Sequence, residues 1–366
     1  MEIETIAVKD KKPHSLKKLP PKEDLLSDEI YKELLEARTQ IAELKGYCLD
    51  SLNPFLLLSP SIIKESLASS EIENIHTTLI DVFQNALIPD DERRPADKEV
   101  LRYREAVIFG FNEIEKKPIV GKTLVLGIEN VLMQVNGESF RTDQNAIVNP
   151  TTGEIVFVPP KAEDIEGLIK NWEEYVNGIS KDIKDDPLIK SAIAHYQFES
   201  IHPFSDGNGR TGRILMVLQL VKDDLLTVPI IYISGYINKN KSKYYHLLRD
   251  VTDNGKWRDY ILFMVKGFKE QAIITKKHLL ETKALFKETR AKVQNELPSI
   301  YSHELIEAIF TNPIITPTFL ANKIGVHHIT ASGYLRKLKD LGIMRSQKYG
   351  KYQMYGNEKL ISLLNK

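Results

Sequence analysis

Apolar positions recur first at helical spacing. From about Asp28 to Lys45, Ile30, Leu34, Leu35, Ile41 and Leu44 fall on one helical face, and a second helix is predicted over about Lys64 to Thr77. Helical spacing then dominates to about Gly137. Around Ser139 to Pro160 the period shortens. Ala146-Ile147-Val148 and Ile155-Val156-Phe157-Val158 read as strands, separated by the turn formers Asn149-Pro150-Thr151-Thr152-Gly153, so a β-hairpin is predicted inside a helical region. Helices resume near Ala162 and run, with breaks at Gly207 to Gly209 and near Pro229, to about Glu296. Leu297-Pro298 then marks a boundary. Beyond it, Thr316 to Gly342 reads as a helix, a turn at Gly325 and a second amphipathic helix, and Ile343 to Tyr355 as two short strands around Lys348 to Lys351. Ahead of all this, residues 1–22 mix lysines with Pro13, Pro20 and Pro21 without a period, which predicts an extended, mobile arm. The expected organisation is mainly α, with an arm over 1–25, an N-terminal helical module over 26–92, a central domain over 93–296 and a winged-helix-like module over 297–366.

Composition narrows the class. Hydrophobic content of 42% and charged content of 27% suit a folded globular chain and disfavour disorder or a fibrous repeat. No apolar run approaches the roughly 18 to 20 residues needed to cross a bilayer, and the N-terminus is polar, so a cytoplasmic protein without a membrane span is expected. One cysteine, Cys48, cannot close an internal disulfide and excludes a Cys-rich metal site. Net charge is zero, but from Thr316 onward nine basic residues face two acidic ones, a patch that suits an anionic partner or a solvated face.

Chemistry concentrates in His202-Pro203-Phe204-Ser205-Asp206-Gly207-Asn208-Gly209-Arg210-Thr211-Gly212-Arg213, between two helical stretches. Gly207 and Gly209 permit a backbone that approaches a ligand closely, and the amides opening the next helix point donors into the loop, which makes an anion cradle. Arg210 and Arg213, three apart, can both reach phosphate oxygens. Asp206 supplies a hard oxygen beside them, as Mg²⁺ requires, and His202 is the nearby group suited to taking a proton at neutral pH. A purely structural loop would explain any two of these residues. It gives no reason for the whole set. His195, Glu199 and His202 also share a helical face, which raises a transition-metal site as an alternative.

The segment resembles the Fic family signature HPFx[DE]GNGRxxR, with each fixed position present. The resemblance implies a Fic-type helical core with a hairpin flap, and transfer of AMP from ATP to a Ser, Thr or Tyr hydroxyl of a target protein. It implies His202 as base and Asp206 as Mg²⁺ ligand. Gly207, Asn208 and Gly209 would hold the inner phosphates and Arg210 to Arg213 the outer ones. It further implies that the hairpin docks the target by strand addition, with Ile147 and Val148 as the contact edge, and that Tyr244 or Tyr245 walls the adenine.

Upstream, Ser69-Ser70-Glu71-Ile72-Glu73-Asn74 resembles the family's inhibition motif [ST]xxxE[NG], in a predicted helix before the core. By that resemblance Glu73 pairs with Arg213 and blocks the γ-phosphate position. In the C-terminal module, His327, His328, Thr330, Ser332 and Arg336 would face a groove and Lys348 and Lys351 would sit on a wing, leaving DNA, a docking protein or a homodimer open as partners. A regulator with a nucleotide-sensing core, and other Fic chemistries such as removal of AMP or transfer of phosphate or phosphocholine, stand beside adenylyl transfer.

Overall fold

The computed structural model describes residues 12–49, 55–135, 137, 139–148, 153–178 and 186–365. The predicted turn Asn149 to Thr152 lies outside them, as does the start of the arm. The fold is mainly helical with two small antiparallel sheets.

Helix α1 (Asp28–Leu49) buries Ile30, Leu34, Ile41 and Leu44 as read from the sequence, with Ala37, along the 40-residue α11 (Trp257–Glu296); Leu35, placed on that face by the sequence reading, is 53% exposed. Then follow α2 (Phe55–Ile72), α3 (Leu79–Asn85), α4 (Pro95–Lys116) and α5 (Lys122–Met133). A short hairpin pairs β1 (Ile147–Val148) with β2 (Ile155–Phe157), with a register irregularity between Ile147 and Val148. Helix α6 (Ile165–Asn177) leads to α7 (Pro187–Ile201), whose start is fixed by Pro187 at its first turn and by the Asp186 carboxylate accepting from Leu188 N at 2.9 Å. Nearly every residue of α7 is buried, and so are most of α8 (Asn208–Lys222), so these two helices form the centre of the domain rather than an amphipathic surface layer. Two further helices, α9 (Ile233–Lys239) and α10 (Lys241–Asn254), connect α8 to α11.

The C-terminal region runs α12 (His303–Thr311), β3 (Ile314–Ile315), α13 (Pro317–Ile324), α14 (His328–Asp340), β4 (Arg345–Tyr349), β5 (Tyr352–Gly356) and α15 (Glu358–Leu364). The sheet order is β3-β5-β4, and β4 turns into β5 at Gly350, whose φ is +55°. Gly325 takes φ +67° between α13 and α14, as the turn requires.

Two hydrophobic cores result. The larger joins α1 and α4 to α11 around α7 and α8. The second gathers α12 to α15 with α3 and with single faces of α2, α4 and α11: Ile63, Val100, Leu101 and Val293. Helices α2, α4 and α11 therefore give side chains to both cores.

Two expectations need correction. The arm is not free over its described part: Leu19 and Leu25 are buried, Asn171 brackets the backbone of Leu19 with hydrogen bonds at 2.7 and 3.0 Å, and Gln197 donates to Lys17 O. Two leucines in apolar contact and these long-range polar contacts outweigh the local signal of prolines and lysines. Secondly, α2 starts at Phe55, runs through Pro60 and stops at Ile72, so Glu73, Asn74 and Thr77 lie past its end rather than within a helix.

Candidate active site

Helix α7 ends at His202, which adopts a left-handed conformation, φ +50° and ψ +59°, and leaves its backbone N–H bonded to Phe198 O. That region costs a residue with a side chain on the order of 1 to 2 kcal/mol, so the surroundings must hold it there. Several groups do so. Asn208 closes a ring with Phe204, accepting from its N–H and donating to its carbonyl, both at 2.8 Å. Gly207 (φ +76°) starts α8, and a Cβ there would sit 2.6 Å from a carboxylate oxygen of Glu129, which itself accepts from Thr211 Oγ1 at 2.6 Å. At Gly212 a Cβ would meet Glu199 Oε1 at 2.5 Å, so this glycine lets α7 and α8 approach.

The His202 ring is buried. Its Nδ1 lies 3.3 Å from Glu199 O, and its Nε2 is buried with no hydrogen-bond partner among the described residues. Burial lowers its pKa to about 4, so the imidazole is neutral at pH 7. One turn earlier, Glu199 has its carboxyl pushed up to about 7 by burial, and its Oε1, 3.9 Å from His195 Nδ1, has no hydrogen-bond partner among the described residues. His195 is bonded to Tyr244 through Nε2 at 2.8 Å. Among the described residues no group of three His, Cys, Asp or Glu is placed to hold a metal ion, so the structure does not gather His195, Glu199 and His202 as ligands.

The arginines are both engaged by carboxylates. Arg210 pairs with Glu99 of α4 and approaches Asp206 Oδ2 at 3.6 Å. Arg213 is buried; its Nη2 donates to Glu73 Oε1 at 3.0 Å and to Ser69 O at 3.0 Å, and its Nε to Ser69 Oγ at 2.8 Å. Burial pushes the Glu73 carboxyl up, but the charge and hydrogen bond of Arg213 together with the charge of Arg210 outweigh it, and the pKa lies below the ordinary glutamate value. The end of α2 explains the spacing of these residues. Asn74 N–H bonds Glu71 O and Ile75 N–H bonds Ser70 O, with Asn74 at φ +63°. This is a Schellman turn, which needs Asn or Gly at the left-handed position and so fixes the residue before it, Glu73, at the helix end, one turn beyond Ser69.

These groups open into one cavity of about 650 Å³, lined by Glu73, Asn74, His202, residues 206–210, Arg213, Tyr244 and Tyr245. That is the size of a small-molecule site. Tyr244 is almost fully buried, whereas Tyr245 is partly exposed against it, with ring centroids 5.3 Å apart. On the flap side Ile147 and residues 154–157 line the cavity. Val148 is not part of this lining, and its side chain is 4% exposed. Strand β2 was read as a strand, but its place in the lining of the site, with Val156 37% exposed, was not. Also missed were Glu99, Glu129 and Arg141, whose Nε donates to His202 O at 2.9 Å.

The side chain of Asp206 is 64% exposed beside this cradle, with one oxygen accepting from Gly207 N. One accessible carboxylate beside the start of α8 and the cavity fits Mg²⁺, which takes one or two carboxylates with phosphate oxygens and water.

Residues 120–220 match the Fic/DOC family model, residues 31–112 the Fic/DOC family N-terminal model, and residues 285–360 the C-terminal domain model of protein adenylyltransferase SoFic-like. The chain is 35% identical over 108 residues to protein adenylyltransferase Fic of Drosophila willistoni and 34% identical over 107 residues to that of Drosophila melanogaster. Each match spans 29% of this chain and 20% of the relative, so the chain covers about a fifth of those proteins. In fold it is similar to a Fic family protein from Desulfovibrio desulfuricans G20, with TM-score 0.57 and 20% identity over 93% of this chain and 98% of that one. It is also similar to Fic-1 from C. elegans, with TM-score 0.52 and 17% identity over 67% and 70%.

Proposed function

Because the chain carries a Fic domain between a Fic N-terminal module and a SoFic-like C-terminal domain, we propose that it transfers AMP from ATP to a hydroxyl of a target protein and is held back by Glu73. The observation that carries the reading is that the unpaired Nε2 of His202 and the captured guanidinium of Arg213 face the same cavity.

In the proposed reaction a Ser, Thr or Tyr side chain of the target lies along the flap. Its oxygen bonds to the α-phosphorus of ATP as the bond from that phosphorus to the bridging oxygen breaks. Pyrophosphate leaves with that electron pair, and the hydroxyl proton passes to His202 Nε2. A neutral imidazole with a free nitrogen is in the form that accepts a proton. The amides opening α8 and the Arg210 guanidinium bind phosphate oxygens. Asp206 would hold Mg²⁺, which neutralises phosphate charge when bound. Tyr245 offers its exposed face to the adenine. Arg213 binds the terminal phosphate only after Glu73 leaves it, since a carboxylate and a phosphate compete for the same donors.

The test is covalent labelling of wild type, Glu73→Gly and Glu73→Gly/His202→Ala with ATP labelled on either the α- or the γ-phosphate, with cell lysate supplied as target. Weak α-label in wild type, strong α-label in Glu73→Gly and none in the double variant is expected. Transfer of γ-label would replace the reading with a kinase.

A further inference from the structure

We propose that Arg141 is a positioning residue that holds the proposed base, His202, and the stem of the flap in one frame. It lies between α5 and β1 and is 6% exposed. Its Nε donates to His202 O at 2.9 Å, its Nη1 to Asp143 O at 2.8 Å and its Nη2 to Pro160 O at 2.5 Å. Its own backbone N–H donates to Pro203 O at 2.9 Å. Asp143 precedes β1 and Pro160 follows β2, so one planar group grips both legs of the hairpin together with the residue that ends α7.

Its side-chain partners among the described residues are main-chain carbonyls, without a carboxylate. A buried cation held only by carbonyls is an expensive element, and burial lowers its pKa to about 10. An apolar residue would fill such a space at less cost, but it could not fix three separate peptide planes. Lysine, a point charge, could not bridge them either. The seam continues beside it: Asn145 Nδ2 donates to Phe204 O at 3.3 Å and Gln144 Nε2 to Pro159 O at 3.0 Å. Flap and base are thus located by the same group, whereas Arg210 and Arg213 are held from α4 and the end of α2. Loss of Arg141 should displace the target hydroxyl from His202 Nε2 and leave nucleotide binding in place.

The rate arm rests on the proposed transfer reaction; a second arm does not. In the Glu73→Gly background, Arg141→Gln should lower the kcat for α-label transfer about 100-fold, the loss that a misplacement of about 1 Å brings, with the KM for ATP within about twofold. Arg141→Lys should lose less, since it keeps one contact. Hydrogen–deuterium exchange of the same variants should show residues 141–148, 153–160 and 202–209 losing protection together while α4 and α11 keep theirs. Unchanged kcat, or parallel loss of kcat and ATP affinity, would overturn the inference. So would flap and loop exchanging independently. If the Glu73→Gly parent takes no label, the transfer reading falls, and the exchange result alone decides: joint loosening supports the clamp and separate or absent loosening removes it.

Discussion

Residues 187–222 and residues 317–340 are both pairs of helices joined through a left-handed turn, yet they are assembled in opposite ways. The connection after α7 places a histidine at positive φ at its start, as well as Gly207 at its end. Among the described residues it leaves His202 Nε2, Glu199 Oε1 and Arg210 Nε buried without hydrogen-bond partners, and it buries two arginines. Between α13 and α14 the left-handed residue is Gly325, Thr316 and His327 cap the helices, and the interior is Leu320, Ala331, Leu335 and Leu338. Among the described residues no buried side-chain polar atom from 303 to 365 lacks a partner. Interior polar atoms are normally satisfied, so a cluster of unsatisfied ones beside a cavity marks where a ligand completes the bonding. The pair that lacks such atoms is built for packing.

The contrast can be tested from both sides. The largest effect should come from Leu335→Ala, which is fully buried and should cost about 2 to 5 kcal/mol. Because α2, α4 and α11 serve both cores, calorimetry should show one transition moved down as a whole, with α-label transfer in the Glu73→Gly background within about threefold. Two separate transitions would break the comparison. Gly207→Ala should do the reverse. The strained φ and the clash with Glu129 should lower transfer about 100-fold, as displacement of reacting groups does, while the melting midpoint moves by the equivalent of about 1 kcal/mol.

A smaller effect is expected from pH. With its pKa lowered to about 4, His202 stays neutral as pH falls, so transfer by Glu73→Gly at saturating ATP should vary less than about twofold from pH 8 to pH 5. An acid limb at the ordinary histidine value would show that the ring is solvated in the working state. Smallest of all, Lys351→Ala removes an exposed ion pair to Glu92 and should leave the melting midpoint unchanged.

The same contrast explains what the sequence made legible. Helix periods, Gly325 and the loop chemistry were readable because each is written within a dozen consecutive residues. The partners that set the loop were not. Glu99, Glu129 and Arg141 reach it from 111, 82 and 61 positions away, and no local pattern distinguishes them from surface charges. The helix end at Glu73 had a usable signal in Asn74, a residue that tolerates the left-handed position, but the apolar period past it at Ile75 favoured a longer helix. Which of Ile147 and Val148 turns its side chain inward was not readable, because two residues are too few to show an alternation.

The turn that closes α2 also sets a clock. Glu73 occupies the last residue before the chain reverses, and terminal turns open and reclose without the rest of the molecule unfolding. Free helical peptides of about 20 residues relax in about 0.1 to 1 μs, which bounds how fast a turn held by Arg213 could open. An incoming triphosphate would then meet an arginine whose occupancy has already been averaged many times over. The contact would scale down the apparent affinity by its open fraction, as a rapid pre-equilibrium does, rather than delay each encounter as a slow gate would.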